Sequence, residues 1–129
     1  MNSETKKLSK LSGPAFQELI VWQRAIDLSL EIYRYTAGFP PAERFGLTAQ
    51  LRRAAVSVAS NIAEGYGRST RGEYVLFLGN ARGSNCEVQT QLVIAKHLGF
   101  GETKTGENAA AFADEVGRML VAMIAKLRR

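Results

Sequence analysis

Cross-links, prolines and membrane-length apolar runs are all scarce or missing from this 129-residue chain. Cys86 is the only cysteine, so no intrachain disulfide can form, and a reducing, cytoplasmic setting is expected. Pro14, Pro40 and Pro41 are the only prolines, which leaves long stretches free to form unbroken helices. No apolar run approaches the ~20 residues that a bilayer span needs, so no membrane association is expected. The opening segment MNSETKKLSKLSGPAF has lysines but no apolar segment behind them, and a secretory signal is not expected. No useful length alternates with a two-residue period, which argues against a sheet.

Chemistry-bearing groups are equally thin. Cys86 and His97 are the only thiol and imidazole, eleven residues apart on one predicted helix. That puts them about 16 Å apart along the axis, too far for a Cys–His dyad. Di-metal bundle sites require paired Glu-x-x-His motifs, and the residue three before His97 is Ile94. A single Cys and a single His do not make a zinc site. Gly65-Tyr66-Gly67 follows no strand and reads as a helix-ending turn, not a dinucleotide fingerprint. The expectation is a non-enzymatic protein with no catalytic residue, metal or cofactor.

What is present is helix. Residues 1–15, with Lys6, Lys7 and Lys10, read as a flexible basic arm, and residues 16–129 as one domain. A first helix is expected from about Leu19 to Ala37, with Trp22, Ala25, Ile26, Ser29, Tyr33 and Thr36 inward. Gly38 and Pro40-Pro41 end it. Thr48 is the expected cap of a second helix that stops near Gly65 to Gly67. Thr70 and Glu73 form a capping box for a third helix over Arg71 to Leu98, closed by Gly99. Gly79 and Gly83 lie inside that helix, and their four-residue spacing predicts close approach of the second helix. A fourth helix is expected over Glu107 to Leu127. Four helices with short connections predict an all-α, antiparallel up-down-up-down four-helix bundle.

The second helix dominates the pattern. Leu47, Leu51, Ala54, Val58 and Ile62 make one apolar face, and Ala49, Val56, Ala59 and Ala63 make another roughly opposite. A helix that is apolar nearly all round is normally buried all round. This one is expected to pack on its own domain on one side and on another subunit on the other. Between the faces run polar residues, including Arg53, Asn61 and Glu64. Ser84 and Glu87 continue a similar stripe on the third helix, which predicts a buried structural network joining Arg53, Asn61, Glu64, Ser84 and Glu87.

The net charge of +5 suits an acidic partner. Arg44, Arg52, Arg68, Arg71 and Arg82 are the candidate nucleic-acid contacts, because the guanidinium fork fits phosphate bidentately. No aromatic interleaving marks a base-stacking platform around them, and no base-reading motif is present.

Three segments together, Leu19-Ile20-Val21-Trp22-Gln23, Phe45-Gly46-Leu47-Thr48 with Gln50 to Ser57, and Ser60-Asn61-Ile62-Ala63-Glu64-Gly65, carry a family likeness. Phe77-Leu78, Gly83-Ser84, Glu87 and Thr90-Gln91-Leu92 continue it. The chain resembles the four-helix bundle proteins encoded in intervening sequences of bacterial 23S ribosomal RNA genes. Ala59 departs from the family, which often has proline there. The resemblance implies a homopentameric ring with a central channel. A similar branch, the accessory variability proteins of diversity-generating retroelements, comprises basic pentamers that partner a reverse transcriptase and bind nucleic acid. The expected role is therefore a self-assembling protein that binds structured RNA or DNA through clustered arginines. The alternative is an assembly adaptor for a protein such as a reverse transcriptase.

Overall fold

The structure, a computed structural model, describes residues 15–129. The basic arm expected over residues 1–15 lies, except for Ala15, outside the described residues. Four α-helices account for most of the chain: α1 Ile20–Thr36, α2 Leu47–Tyr66, α3 Arg71–Leu98 and α4 Thr103–Leu127. Single 3-10 turns at Phe16–Glu18 and Pro41–Glu43 precede α1 and α2. No strand occurs among the described residues. Among the described residues, no helix is long and apolar enough to cross a membrane.

Local chemistry explains the boundaries. The Thr70 hydroxyl accepts the Glu73 amide at 3.1 Å and donates to the Glu73 carboxylate at 3.2 Å, so α3 starts where expected. Gly99 ends it in the left-handed conformation, φ 71°, with the Phe100 amide closing on the Ala95 carbonyl at 3.0 Å. The start of α2 differs from expectation. Thr48 is buried and caps nothing; the Glu43 carboxylate accepts the Leu47 amide at 3.0 Å instead. A side chain four residues upstream reaches the orphan donor because the Pro41–Glu43 turn folds it back. α4 begins one turn earlier than expected, at Thr103.

Each helix packs on two neighbours and not on the third: α1 on α2 and α4, α3 on α2 and α4. The inward face of α1 is Val21, Ala25, Leu28, Ile32, Tyr35 and Thr36; Ala25 and Thr36 are buried as expected, and the rest of the face lies one helical position round. Trp22, Ile26 and Ser29 are only half-buried, and Tyr33 is exposed. The four-three spacing of the aliphatic residues fits the core, while the amphipathic rings sit at its edge.

Two apolar clusters fill the interior. One gathers Leu28, Ile32, Leu51, Val88, Leu92 and Ala109; the other gathers Val21, Val58, Ile62, Leu78, Val116 and Leu120. Polar groups mark the waist between them. Asn85, 1% exposed, donates to the Ala113 carbonyl at 2.9 Å. The Ser57 and Ser84 hydroxyls meet at 2.9 Å, and Ser29 donates to the Ala55 carbonyl at 3.1 Å.

The close approach of α2 and α3 occurs at Gly65, not at Gly79 and Gly83. A methyl at Gly65 would stand 2.7 Å from Phe77 Cβ, whereas nothing lies within 4 Å of one at Gly79 or Gly83. Those two glycines point away from α2, on the exposed side of α3. Gly65→Ala is therefore expected to destabilise the fold by about 1–3 kcal/mol through overpacking, despite alanine's better helix propensity. Urea unfolding would show this as a lower midpoint; an unchanged or raised midpoint would mean that Phe77 and Tyr74 yield without cost.

Candidate functional site

The arginines divide by what already holds them. Arg68 lies 3.0 Å from Glu64 and 3.9 Å from Glu73, and its guanidinium covers the half-buried Phe77 ring at 4.7 Å. Arg24, Arg34 and Arg118 pair with carboxylates as well. Arg24 bridges Asp27 and, across to α4, Glu115; hydrogen bonds first to Asp27 and then to Glu115 raise its pKa from the ordinary value. Arg44, Arg52, Arg53, Arg71 and Arg82 have no carboxylate within 4 Å among the described residues.

Three of these unneutralised arginines, Arg44, Arg52 and Arg53, lie in the stretch that leads into and opens α2, on two flanks of that helix. Arg52 Nε donates to the Thr36 hydroxyl at 2.9 Å, and its guanidinium lies 4.4 Å from the Tyr33 ring centroid. Arg44 lies 5.3 Å from the Phe45 centroid in the turn that leads into α2. Arg53, one position past Arg52, points to the other flank of the helix. Arg71 opens α3 at the far end, and Arg82 is exposed midway along it. The fold thus places aromatic rings beside Arg44 and Arg52, where sequence reading found no interleaving. Arg44-Phe45 was adjacent in the chain; Tyr33 and Arg52, nineteen residues apart, needed the α1–α2 packing to meet.

The polar stripes of α2 and α3 do face one another, at the surface. They line a groove of about 420 Å³ bounded by Gln50, Arg53, Ser57, Ser84, Glu87 and Gln91. Asn61 Nδ2 donates to the Ser57 carbonyl and hydroxyl at 2.9 and 3.0 Å, and so joins the Ser57–Ser84 pair. Glu64 is engaged with Arg68, one turn on. Arg53 and Glu87 are exposed and form no ion pair among the described residues. Small side chains let the two helices come close, and long charged ones therefore extend past the contact into water. Only the hydroxyl and amide part of the expected network is assembled by direct hydrogen bonds, and Arg53 stands free.

A second cavity, about 380 Å³, opens between the end of α3 and the start of α4, over Tyr35, Leu92, Phe100 and Ala110. Sequence reading missed it. The usable signal was the glycine spacing: Gly101 and Gly106 both abut the Tyr35 ring, where a methyl would come within 3 Å. The Tyr35 hydroxyl donates to the Phe100 carbonyl at 2.9 Å. Cys86 and His97 are exposed, with His97 Nδ1 2.9 Å from the Val93 carbonyl. Among the described residues, no group of three His, Cys, Asp or Glu residues is placed to hold a metal ion.

Comparison with known proteins places this geometry. The family model of the 23S rRNA-intervening sequence protein matches residues 17–122. No curated protein matches the chain. A similar solved structure is a protein of unknown function from the S23 ribosomal protein family of Bacteroides thetaiotaomicron VPI-5482. It is 18% identical with a TM-score of 0.73, over 81% of this chain and 98% of that one. At that identity the likeness speaks for the fold alone.

Burial pushes the Tyr35 phenol above its ordinary value, and burial together with Tyr66 does the same to Tyr74. The fold favours the neutral phenols, so the unfolded chain ionises first. Stability is full below about pH 10 and falls as pH rises through the raised native values. Thermal melts followed from neutral to strongly alkaline pH should show that decline. Tyr74→Phe should flatten it, and an unaltered alkaline limb would show that Tyr74 contributes nothing.

Proposed function

The chain belongs to the 23S rRNA-intervening sequence protein family, and on that premise we propose that it is a non-enzymatic, self-assembling RNA-binding protein. The observation that carries this reading is the set of unneutralised arginines where α1 meets α2: Arg44, Arg52 and Arg53. Charged side chains on a protein surface ordinarily find partners of opposite sign or stand apart. Three cations within ten residues of chain, none within 4 Å of a carboxylate among the described residues, favour a polyanion. Arg71 at the far end and Arg82 midway along α3 add separate positive points, while Arg68, neutralised by Glu64, contributes less.

We infer an up-down-up-down bundle. Across α1 and α2, Ser29 meets Ala55 while Thr36 meets Arg52. Across α2 and α3, Ser57 meets Ser84 while Gln50 meets Gln91. In each pair one number rises as the other falls, the pattern of antiparallel neighbours.

Self-assembly is supported by the outer side of α3. Gly72, Leu76, Gly79, Gly83, Cys86, Thr90, Val93 and His97 follow alternating steps of four and three, and every one is exposed. No acidic residue, lysine or arginine occurs among them over a helix about 40 Å long. Leu76 is 61% and Val93 57% exposed. Coiled-coil spacing with small residues suits helix-to-helix contact between copies. Val56, with half-buried Ala49 and Ala63, adds a smaller apolar strip on α2. The family resemblance supplies the number five, and five chains at +5 would bring about +25 to one particle.

Two experiments test this reading. Arg44→Glu with Arg53→Glu should weaken binding of a structured ribosomal RNA fragment by about tenfold or more and make its salt dependence shallower. A wild-type particle that ignores RNA even at low salt would sink the reading in favour of a protein-binding adaptor, for instance for a reverse transcriptase. For assembly, light scattering should give a mass near five chains. Gly79→Lys with Gly83→Lys should reduce that mass while circular dichroism keeps its helical form; an unchanged mass would rule out the α3 seam.

A further inference from the structure

We propose that the α1–α2 end carries a stacking clamp for unpaired bases, in which Phe45 and Tyr33 supply the platforms and Arg44 and Arg52 the flanking cations. The ligand class is single-stranded RNA, including the loops and bulges of a folded one. This inference rests on the RNA-binding reading above and narrows it.

Phe45 is 86% exposed, the largest exposure of any bulky apolar side chain among the described residues, and Tyr33 is 47% exposed. A phenyl ring held almost wholly in water has its full apolar surface still to bury. The Arg44 guanidinium already stands beside it at 5.3 Å, so one aromatic ring and one planar cation share the site. At Tyr33 the arrangement is more firmly held. Arg52 Nε is tied to the Thr36 hydroxyl, which itself donates to the Ile32 carbonyl at 2.7 Å. The guanidinium is thereby fixed near the ring before any ligand arrives, which lowers the ordering cost of binding.

The nearby carboxylates are already occupied. Glu43, next to Arg44, accepts the Leu47 amide and so serves as the cap of α2. Glu31, on the last turns of α1, holds Arg34 at 3.1 Å. Arg68 and Phe77 show the contrasting case: there the ring is half-buried and the cation neutralised by Glu64, and the pair serves the fold. At Phe45 and Tyr33 the rings face water and the cations keep their charge. Phe45 lies in the turn just before α2, and Arg52, which lies against Tyr33, is in the second turn of that helix, so the two platforms sit toward one end of the molecule.

Exposed rings beside free arginines discriminate between forms of RNA. In a duplex the bases are stacked on one another, and a protein reaches mainly phosphates and 2′-hydroxyls. An arginine patch alone would serve that purpose. An aromatic platform adds something only when a base is free to leave its stack, and it does so with little regard to sequence.

The test uses the full chain and two probes: a labelled, unstructured RNA strand of roughly 12 nucleotides, and that strand annealed to its complement. Fluorescence anisotropy should show the single strand bound more tightly. Phe45→Ala should weaken single-strand binding by about tenfold, leave duplex binding alone and leave the salt slope unchanged, because stacking releases no counterions. Phe45→Trp should restore the affinity. Single-strand affinity unaltered in Phe45→Ala would overturn the clamp while leaving the arginine reading intact. A lighter particle for Phe45→Ala would also overturn it, by assigning the ring to a contact between copies. Failure of the wild-type chain to bind either probe would remove the RNA-binding reading on which the clamp rests.

Discussion

The waist of the molecule constrains everything on either side of it. Asn85 is buried between the two apolar clusters, and its amide nitrogen donates to the Ala113 carbonyl of the facing helix. Sliding α3 along α4 by one turn would strand that donor in the core, at a cost of about 1–3 kcal/mol. On the same level Gly117 leaves room for the Asn85 amide, since a methyl there would stand 3.1 Å from its nitrogen. The half-buried Ser57–Ser84 pair links α2 to α3, and the Ser29–Ala55 bond links α1 to α2. The apolar clusters above and below supply the bulk of the driving force without specifying a register. The polar layer specifies it.

Once the register is set, the ends of the helices are placed, and with them the charges. Thr36, in the last turn of α1, comes within reach of Arg52, in the second turn of α2. Arg52 then lies against Tyr33. The same end gathers Arg44 and Arg53, while the Glu43 carboxylate is committed to the first amide of α2. A capping interaction, worth a modest amount to the helix, thus directs the nearest carboxylate to the backbone, and it forms no ion pair with Arg44 within 4 Å. At the opposite end Glu64, and at longer range the capping Glu73, hold Arg68, and the arginine there becomes part of the scaffold. Arg52 and Arg68 acquire different roles through the carboxylates that geometry leaves to them.

α2 and α3 exchange the parts that their compositions suggest. α2 is apolar nearly all round because its own chain flanks it twice, with α1 on one side and α3 on the other. Ala59, on its supposed outer face, is buried within the domain. Little more than Val56 and the edges of Ala49 and Ala63 is left for anything beyond. α3 has the weaker apolar periodicity, yet it presents the long uncharged exterior. Its inner stripe of Leu78, Ala81, Val88, Leu92 and Ala95 serves the core, and its glycines stand in open space. Gly65, which reads as a turn residue, is the position where absence of a side chain brings two helices together.

The sequence alone determined the all-α class, the number of helices, and the boundaries of α3 through Thr70, Glu73 and Gly99. These depend on neighbours within one helical turn, where hydrogen-bond reach and backbone preference act locally. It also determined the pool of arginines and the family. Tertiary structure decided which face of α1 turns inward, which glycine is a contact, which acid caps α2, and which arginines remain without a counter-ion. It also formed the cavity over Tyr35 and the pairing of Tyr33 with Arg52. Each of these depends on a side chain from another helix arriving at a particular height and angle. Periodicity within one helix carries no information about the height at which its neighbour stands, and that height is set here by the buried Asn85 amide and the half-buried hydroxyls of the waist.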